Sequence, residues 1–158
     1  MIRGARYVHT NLIARDWKSL VKFYESLFNC VFVPPERNYA GPDLEAGTGV
    51  PGSTLSGRHL RLPGHGPEGP TLEIYSYSRP VAGPPPAVNR PGFAHLAFEV
   101  ASVREAQREV LAAGGKPIGE IVSLTTSSGS QVSWCYVTDP EGNIIELQSW
   151  AIHILGPE

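Results

Sequence analysis

The feature that most constrains this chain is a pattern that occurs twice. Residues 7–13 alternate like a strand, and Asp16 then precedes Leu20, Phe23, Tyr24, Leu27 and Phe28 at helical spacing. Residues 93–100 read as a second strand. There Ser102, with Glu105 three positions on, forms a capping box, and Val103, Ala106, Val110 and Leu111 share one helix face that ends at Gly114-Gly115. Each helix is followed by short strand-like stretches closing on a strand that carries an acid: Thr71-Leu72-Glu73-Ile74-Tyr75, then Asn143-Ile144-Ile145-Glu146-Leu147. The expected fold is α+β, with tandem βαβββ modules forming a cup-shaped mixed sheet and helices on the outside.

The two copies differ in length. His9 and His95 are 86 positions apart and Glu73 and Glu146 are 73 apart, so the first copy holds 13 more residues between these landmarks. The expected place is residues 34–54, rich in Pro and Gly and read as a long loop that roofs a cavity. Module one is expected over about residues 5–78, an extended Pro-rich linker over 79–92, module two over about 93–150 and a tail over 151–158. All of it forms a single domain, since one module alone would leave a sheet face bare.

Composition narrows the class. Of 158 residues 41% are apolar, enough for a sizeable core, and 17 Gly with 15 Pro favour many short elements over a helical bundle. Lys and Arg number 13 against 15 Asp and Glu, a net charge of -2 with no basic excess for nucleic acid. No 18-residue apolar run is present and no apolar leader follows Met1, so no membrane contact is expected and the setting is cytoplasmic. Cys30 and Cys135 stand far apart with no CxxC and read as small buried hydrophobes.

Strand parity then selects the chemistry, because successive side chains point to opposite faces of a sheet. Val8, Thr10 and Leu12 oppose His9 and Asn11; Leu96 and Phe98 oppose His95 and Ala97; Leu72 and Ile74 oppose Glu73 and Tyr75; Ile145 and Leu147 oppose Glu146 and Gln148. With the apolar faces under the helices, His9, Glu73, His95 and Glu146 share the other faces at equivalent positions of both copies. A lone strand histidine is ordinarily a hydrogen-bonded structural group. A His and a Glu recurring in register point instead to one divalent ion, of Zn, Ni, Fe, Mn or Co, held by a mixed N/O set.

The strand Gly92-Phe93-Ala94-His95-Leu96-Ala97-Phe98-Glu99-Val100 and the run Val137-Thr138-Asp139-Pro140-Glu141-Gly142-Asn143-Ile144-Ile145-Glu146-Leu147 resemble the vicinal oxygen chelate superfamily, which includes glyoxalase I, bleomycin-resistance proteins and extradiol dioxygenases. The resemblance covers about residues 7–150. It implies a divalent metal held by His9, Glu73, His95 and Glu146, and a homodimer. The ligand pattern is similar to bacterial glyoxalase I, whereas methylmalonyl-CoA epimerases carry Gln where this chain has Glu73. Extradiol dioxygenases use two His and one Glu, and bleomycin-binding members lack the metal set.

The activity this implies is that of a metal-dependent lyase or isomerase, removing a proton next to a carbonyl through an enediolate or enolate. Glu146 is the favoured base and Glu73 the second choice. By parity His59 and Arg61 face the cup with Leu60 and Leu62 opposite, so His59 is a candidate proton relay and Arg61 a candidate holder of an anionic substrate tail. Tyr75, Tyr77, Trp134 and Trp150 are candidate pocket walls. The substrate is a small molecule, with thiol conjugates and acyl thioesters both open. The competing readings are an epimerase, an Fe(II) and oxygen-dependent dioxygenase, and a drug-binding resistance protein with no need of metal.

Overall fold

The computed structural model describes residues 2–151, which divide near residue 83 into two units. The first contains β1 (His9–Ile13), α1 (Trp17–Phe28), β2 (Val31–Tyr39), α2 (Pro42–Thr48), β3 (Leu55–Arg61) and β4 (Thr71–Tyr77). The second contains β5 (Leu96–Glu99), α3 (Val103–Ala112), β6 (Lys116–Pro117), β7 (Val122–Thr125), β8 (Gln131–Thr138) and β9 (Ile144–Ala151). The α+β class and the repeated βαβββ plan are both present.

In the first unit the strand order is β1-β4-β3-β2, with β1 parallel to β4 and the rest antiparallel. α1 starts where Asp16 accepts from the amides of Lys18 and Ser19 and from the Ser19 hydroxyl. It stops at Asn29, in the left-handed conformation at φ 53. Its apolar stripe, Trp17, Leu20, Val21, Phe23, Tyr24 and Phe28, packs on β3 and β4, burying Leu60, Leu72 and Ile74 completely. Ser76 ties the helix start to β4, accepting from Trp17 N and donating to Ala14 O.

In the second unit the order is β5-β9-β8-β6, with β7 also pairing β8, so β6 and β7 are two pieces of one strand line. α3 begins at Ser102, whose hydroxyl accepts from Glu105 N, and buries Val103 and Val110 over Cys135, Val137, Ile145 and Leu147. The Asp139 carboxylate, 1% exposed, closes the β8–β9 turn by accepting from Glu141 N, Asn143 N and Asn143 Nδ2.

Three expectations need correction. Residues 34–54 are not one long loop: β2 continues to Tyr39 and α2 follows. β2 is an edge strand, where a proline's missing N–H breaks no ladder, and its register shifts between Val33 and Arg37 around the cis Pro34-Pro35 bond. Pro42 opens α2 and Gly49, at φ 69, closes it, so this proline and glycine punctuate a helix. The extra length of the first copy is also shared: residues 40–54 correspond to 126–130, and the β3–β4 turn, residues 62–70, to 139–143. Finally, β5 begins at Leu96, not at residue 93, because its parallel ladder on β9 starts at the Leu96–Ile145 pair; His95 sits just before it.

Among the described residues Cys30 and Cys135 are free and buried, and no helix is long and apolar enough to cross a membrane. Residues 79–92 carry no helix or strand. Residues 152–158 of the expected tail lie outside the described residues.

Candidate metal centre

The register of the two parallel strand pairs is the same. Asn11 lies beside Glu73 and Ala97 beside Glu146, so in each unit the histidine stands two residues before the position opposite the acid. This puts His9 with Glu73, and His95 with Glu146, on the sheet face away from the helix. His9 Nδ1 is 3.4 Å from Glu73 Oε1, and His95 Nε2 is 3.3 Å from Glu146 Oε2. Both acids are recessed, 13% and 19% exposed.

The antiparallel neighbours complete each cluster. β3 sets His59 opposite Glu73 and β8 sets Tyr136 opposite Glu146. His59 Nε2 is 3.0 Å from Glu73 Oε1 and 2.7 Å from the Tyr75 hydroxyl. Asn11 Nδ2 donates to Glu73 Oε2 at 3.4 Å. Burial lowers the His59 pKa, outweighing the Glu73 charge that pulls it up. Burial raises the Tyr75 pKa, with the Glu73 charge adding to it. Tyr136 is raised by burial, and then by its hydrogen bond to Glu146 and that group's charge. Its ring lies 5.2 Å from that of His95.

The remaining candidates fall as follows. Tyr75 is 3% exposed, and its ring covers Gly57, where a Cβ would meet Ile74 O at 2.0 Å and the Tyr75 ring at 2.5 Å. Arg61 shares the His59 face, as parity requires. Its Nη1 donates to Gly69 O at 3.1 Å, and it lines a depression of about 440 Å³ with Val31, Val33, Pro34, Leu62 and Pro67. Leu60 faces α1; Leu62 lies beyond β3 in that same depression. Trp134 and Trp150 line a second depression of about 270 Å³ with Leu124, Val132, Tyr136, Glu146 and Gln148. Tyr77 lies at the end of β4 and lines neither of these two depressions.

Sequence reasoning missed Asn11, Tyr136 and the Tyr75–Tyr39 hydrogen bond. The first two have the right parity, and only the pairing register, which alternation does not fix, distinguishes them.

Two donors on one ion at about 2.0–2.2 Å stand about 3–3.5 Å apart, so the separation within each His/Glu pair fits joint ligation. An imidazole beside a carboxylate, as each unit presents, also suits a first-row divalent ion. Among the described residues no group of three or more His, Cys, Asp or Glu side chains is gathered closely enough to hold an ion.

A family model described as the glyoxalase, bleomycin resistance protein and dioxygenase superfamily matches residues 6–147. No curated protein sequence matches the chain. Among solved structures, a glyoxalase family protein from Bacillus cereus superposes with a TM-score of 0.81 at 18% identity, covering 96% of this chain and 99% of that one. The fosfomycin resistance protein FosX from Listeria monocytogenes, solved with Mn(II) and sulfate, gives 0.52 at 18% identity, with 96% of each chain covered. A glyoxalase I variant from Zea mays gives 0.55 at 18% identity over 90% of this chain and 45% of that one.

Proposed function

The chain belongs to the glyoxalase, bleomycin resistance protein and dioxygenase superfamily, and from that premise we propose that it is a divalent-metal-dependent lyase or isomerase of the glyoxalase I-like type, with His9, Glu73, His95 and Glu146 as the ligands. The observation that carries the reading is the repeated His/Glu pair, in identical register and at 3.4 and 3.3 Å. When bound, a divalent ion supplies Lewis-acid polarisation of a substrate carbonyl.

The chain's own residues handle the proton. The Glu146 carboxylate accepts the proton from the carbon beside the carbonyl and returns it, and Glu73 is the symmetric second choice. Tyr136, hydrogen-bonded to Glu146, holds that carboxylate beside the aromatic wall of Trp134. The depression that Glu146 lines with Trp134 and Trp150 excludes water from an apolar substrate group. Arg61 offers its remaining N–H groups to an anionic tail, and Tyr75 acts through His59. The substrate is a small molecule, a thiol conjugate or an acyl thioester, the active form is a homodimer, and the setting is cytoplasmic.

The test is a screen of hemithioacetals and acyl thioesters against the protein loaded in turn with Ni, Co, Zn, Mn and Fe(II). Turnover without oxygen is expected. The variant E146Q is expected to lose about 10²–10⁴-fold in kcat while keeping its melting temperature. A fully active, metal-bound E146Q would overturn the base assignment, and strict dependence on Fe(II) and oxygen would overturn the reaction class.

A further inference from the structure

On the face of the second unit away from α3, the register of β7, β8 and β9 builds one continuous wall. Trp134 stands opposite Gln148 on β9 and Val122 on β7, and Val132 stands opposite Trp150 and Leu124. The rings of His95, Tyr136 and Trp134 follow one another at centroid separations of 5.2 and 5.1 Å. The depression of about 270 Å³ on this face is walled by aliphatic and aromatic side chains except at Glu146 and Gln148.

Gln148 puts its backbone to structural use but not its side chain. Its carbonyl accepts from Val100 N, whereas among the described residues its amide group has no hydrogen-bond partner. No buried side-chain nitrogen or oxygen among those residues lacks a partner, so the Gln148 amide is open to the depression it lines. The equivalent place in the first unit, two residues after Glu73, holds Tyr75, which is 3% exposed with its hydroxyl 2.7 Å from His59 Nε2. That slot is filled, and its counterpart is empty. Glu146 and Gln148 project from one face of β9 roughly 6.5–7 Å apart, the span of a benzene ring with one substituent.

We infer that this depression receives a flat, uncharged aryl group of the substrate whose polar substituent hydrogen-bonds Gln148, which makes Gln148 a specificity-determining residue. The inference rests on the reading of Glu146 as the base and deepens it by naming the part of the substrate that does not react. An aryl ring gains offset or edge-to-face contact with Trp134 that a saturated ring does not. The Gln148 amide offers two donors and an acceptor, and a substrate without a matching group leaves them unused. Glu146 is the one charged residue lining the depression, and its carboxylate disfavours an anionic substituent.

The experiment titrates the full chain, freed of metal with EDTA, with 4-hydroxyacetophenone, acetophenone and cyclohexyl methyl ketone, read by calorimetry and ¹⁵N NMR. The hydroxylated ketone is expected to bind tightest, with acetophenone about three- to tenfold weaker. Cyclohexyl methyl ketone is expected to bind about two- to fivefold weaker again. The side-chain amide signals of Gln148 and the indole signals of Trp134 and Trp150 are expected to shift, while the indole of Trp17, buried in the first unit, stays still. Q148L, at a half-buried position with no hydrogen bond to lose, is expected to bind both aryl ketones within about twofold of each other. Equal affinity of the parent for the two aryl ketones, a Q148L protein that keeps the preference, tighter binding of the saturated ketone, no binding, or shifts confined to other residues would overturn the inference. Failure of the proposed reaction shows separately: a metal-loaded chain that turns over no hemithioacetal or acyl thioester overturns that reading, while the ketone series, which needs neither metal nor turnover, still decides the part of Gln148.

Discussion

At the scale of single residues, what matters is how far each polar group has been removed from water. Cys30 is 3% exposed at the end of α1, and burial, with the Glu25 charge adding to it, pushes its thiol up to about 12. An unfolded cysteine titrates near 8.5, so above that pH the unfolded chain sheds a proton the folded chain keeps. The stability owed to this thiol is complete below about pH 8.5 and is lost as pH rises toward 12. The urea midpoint is expected to fall between pH 8.5 and 10.5, and to fall less in C30A. The native thiol is also expected to resist iodoacetamide at pH 8 and to react on unfolding, a behaviour that mass spectrometry reads directly. That Cys30 is a buried hydrophobe was legible in the sequence. That His59 reaches both Glu73 and Tyr75 was not, because these contacts depend on how β3 pairs with β4.

At the scale of elements, the candidate site depends on strands arriving in register. Period-two alternation placed His9, Glu73 and Glu146 on the sheet faces away from the helices, since a buried face leaves only one parity open to each strand, whereas His95 stands just before β5. The span 34–54 was illegible for the converse reason. Pro and Gly signal loops on average, yet Pro34-Pro35 sits on an edge strand and Pro42 and Gly49 bracket a helix. In the second unit the register of β9 is fixed by the Asp139 carboxylate, which gathers three donors in the turn before Glu146. Replacing it with an apolar side chain strands those donors around a buried site. D139L is expected to cost about 3 kcal/mol in urea denaturation, with D139N recovering part, because its carbonyl oxygen still accepts from the two amides.

At the scale of the whole molecule, the duplication is the argument. One His/Glu pair is unremarkable; the same pair recurs in the same register in both units of a chain of this superfamily. The proposal of His9, Glu73, His95 and Glu146 as one ligand set predicts one ion per chain, and single substitutions H9A and H95A should each abolish binding. If each unit held its own ion, inductively coupled plasma mass spectrometry would find two, and either variant would keep one. Saturation at 100 times Kd should add about 2.7 kcal/mol of stability, a rise in melting temperature of about 5–10 °C that EDTA reverses.

The copies also show how a repeat diverges without losing its frame. Opposite Tyr75 stands Gly57, whereas opposite Gln148 stands Trp134, so the bulky ring has changed sides of the strand pair between one copy and the other. Steric room at these rungs is owned jointly by two positions. Neither half could import a lone side chain from its sibling there, and inheritance at this spot has to proceed by couples.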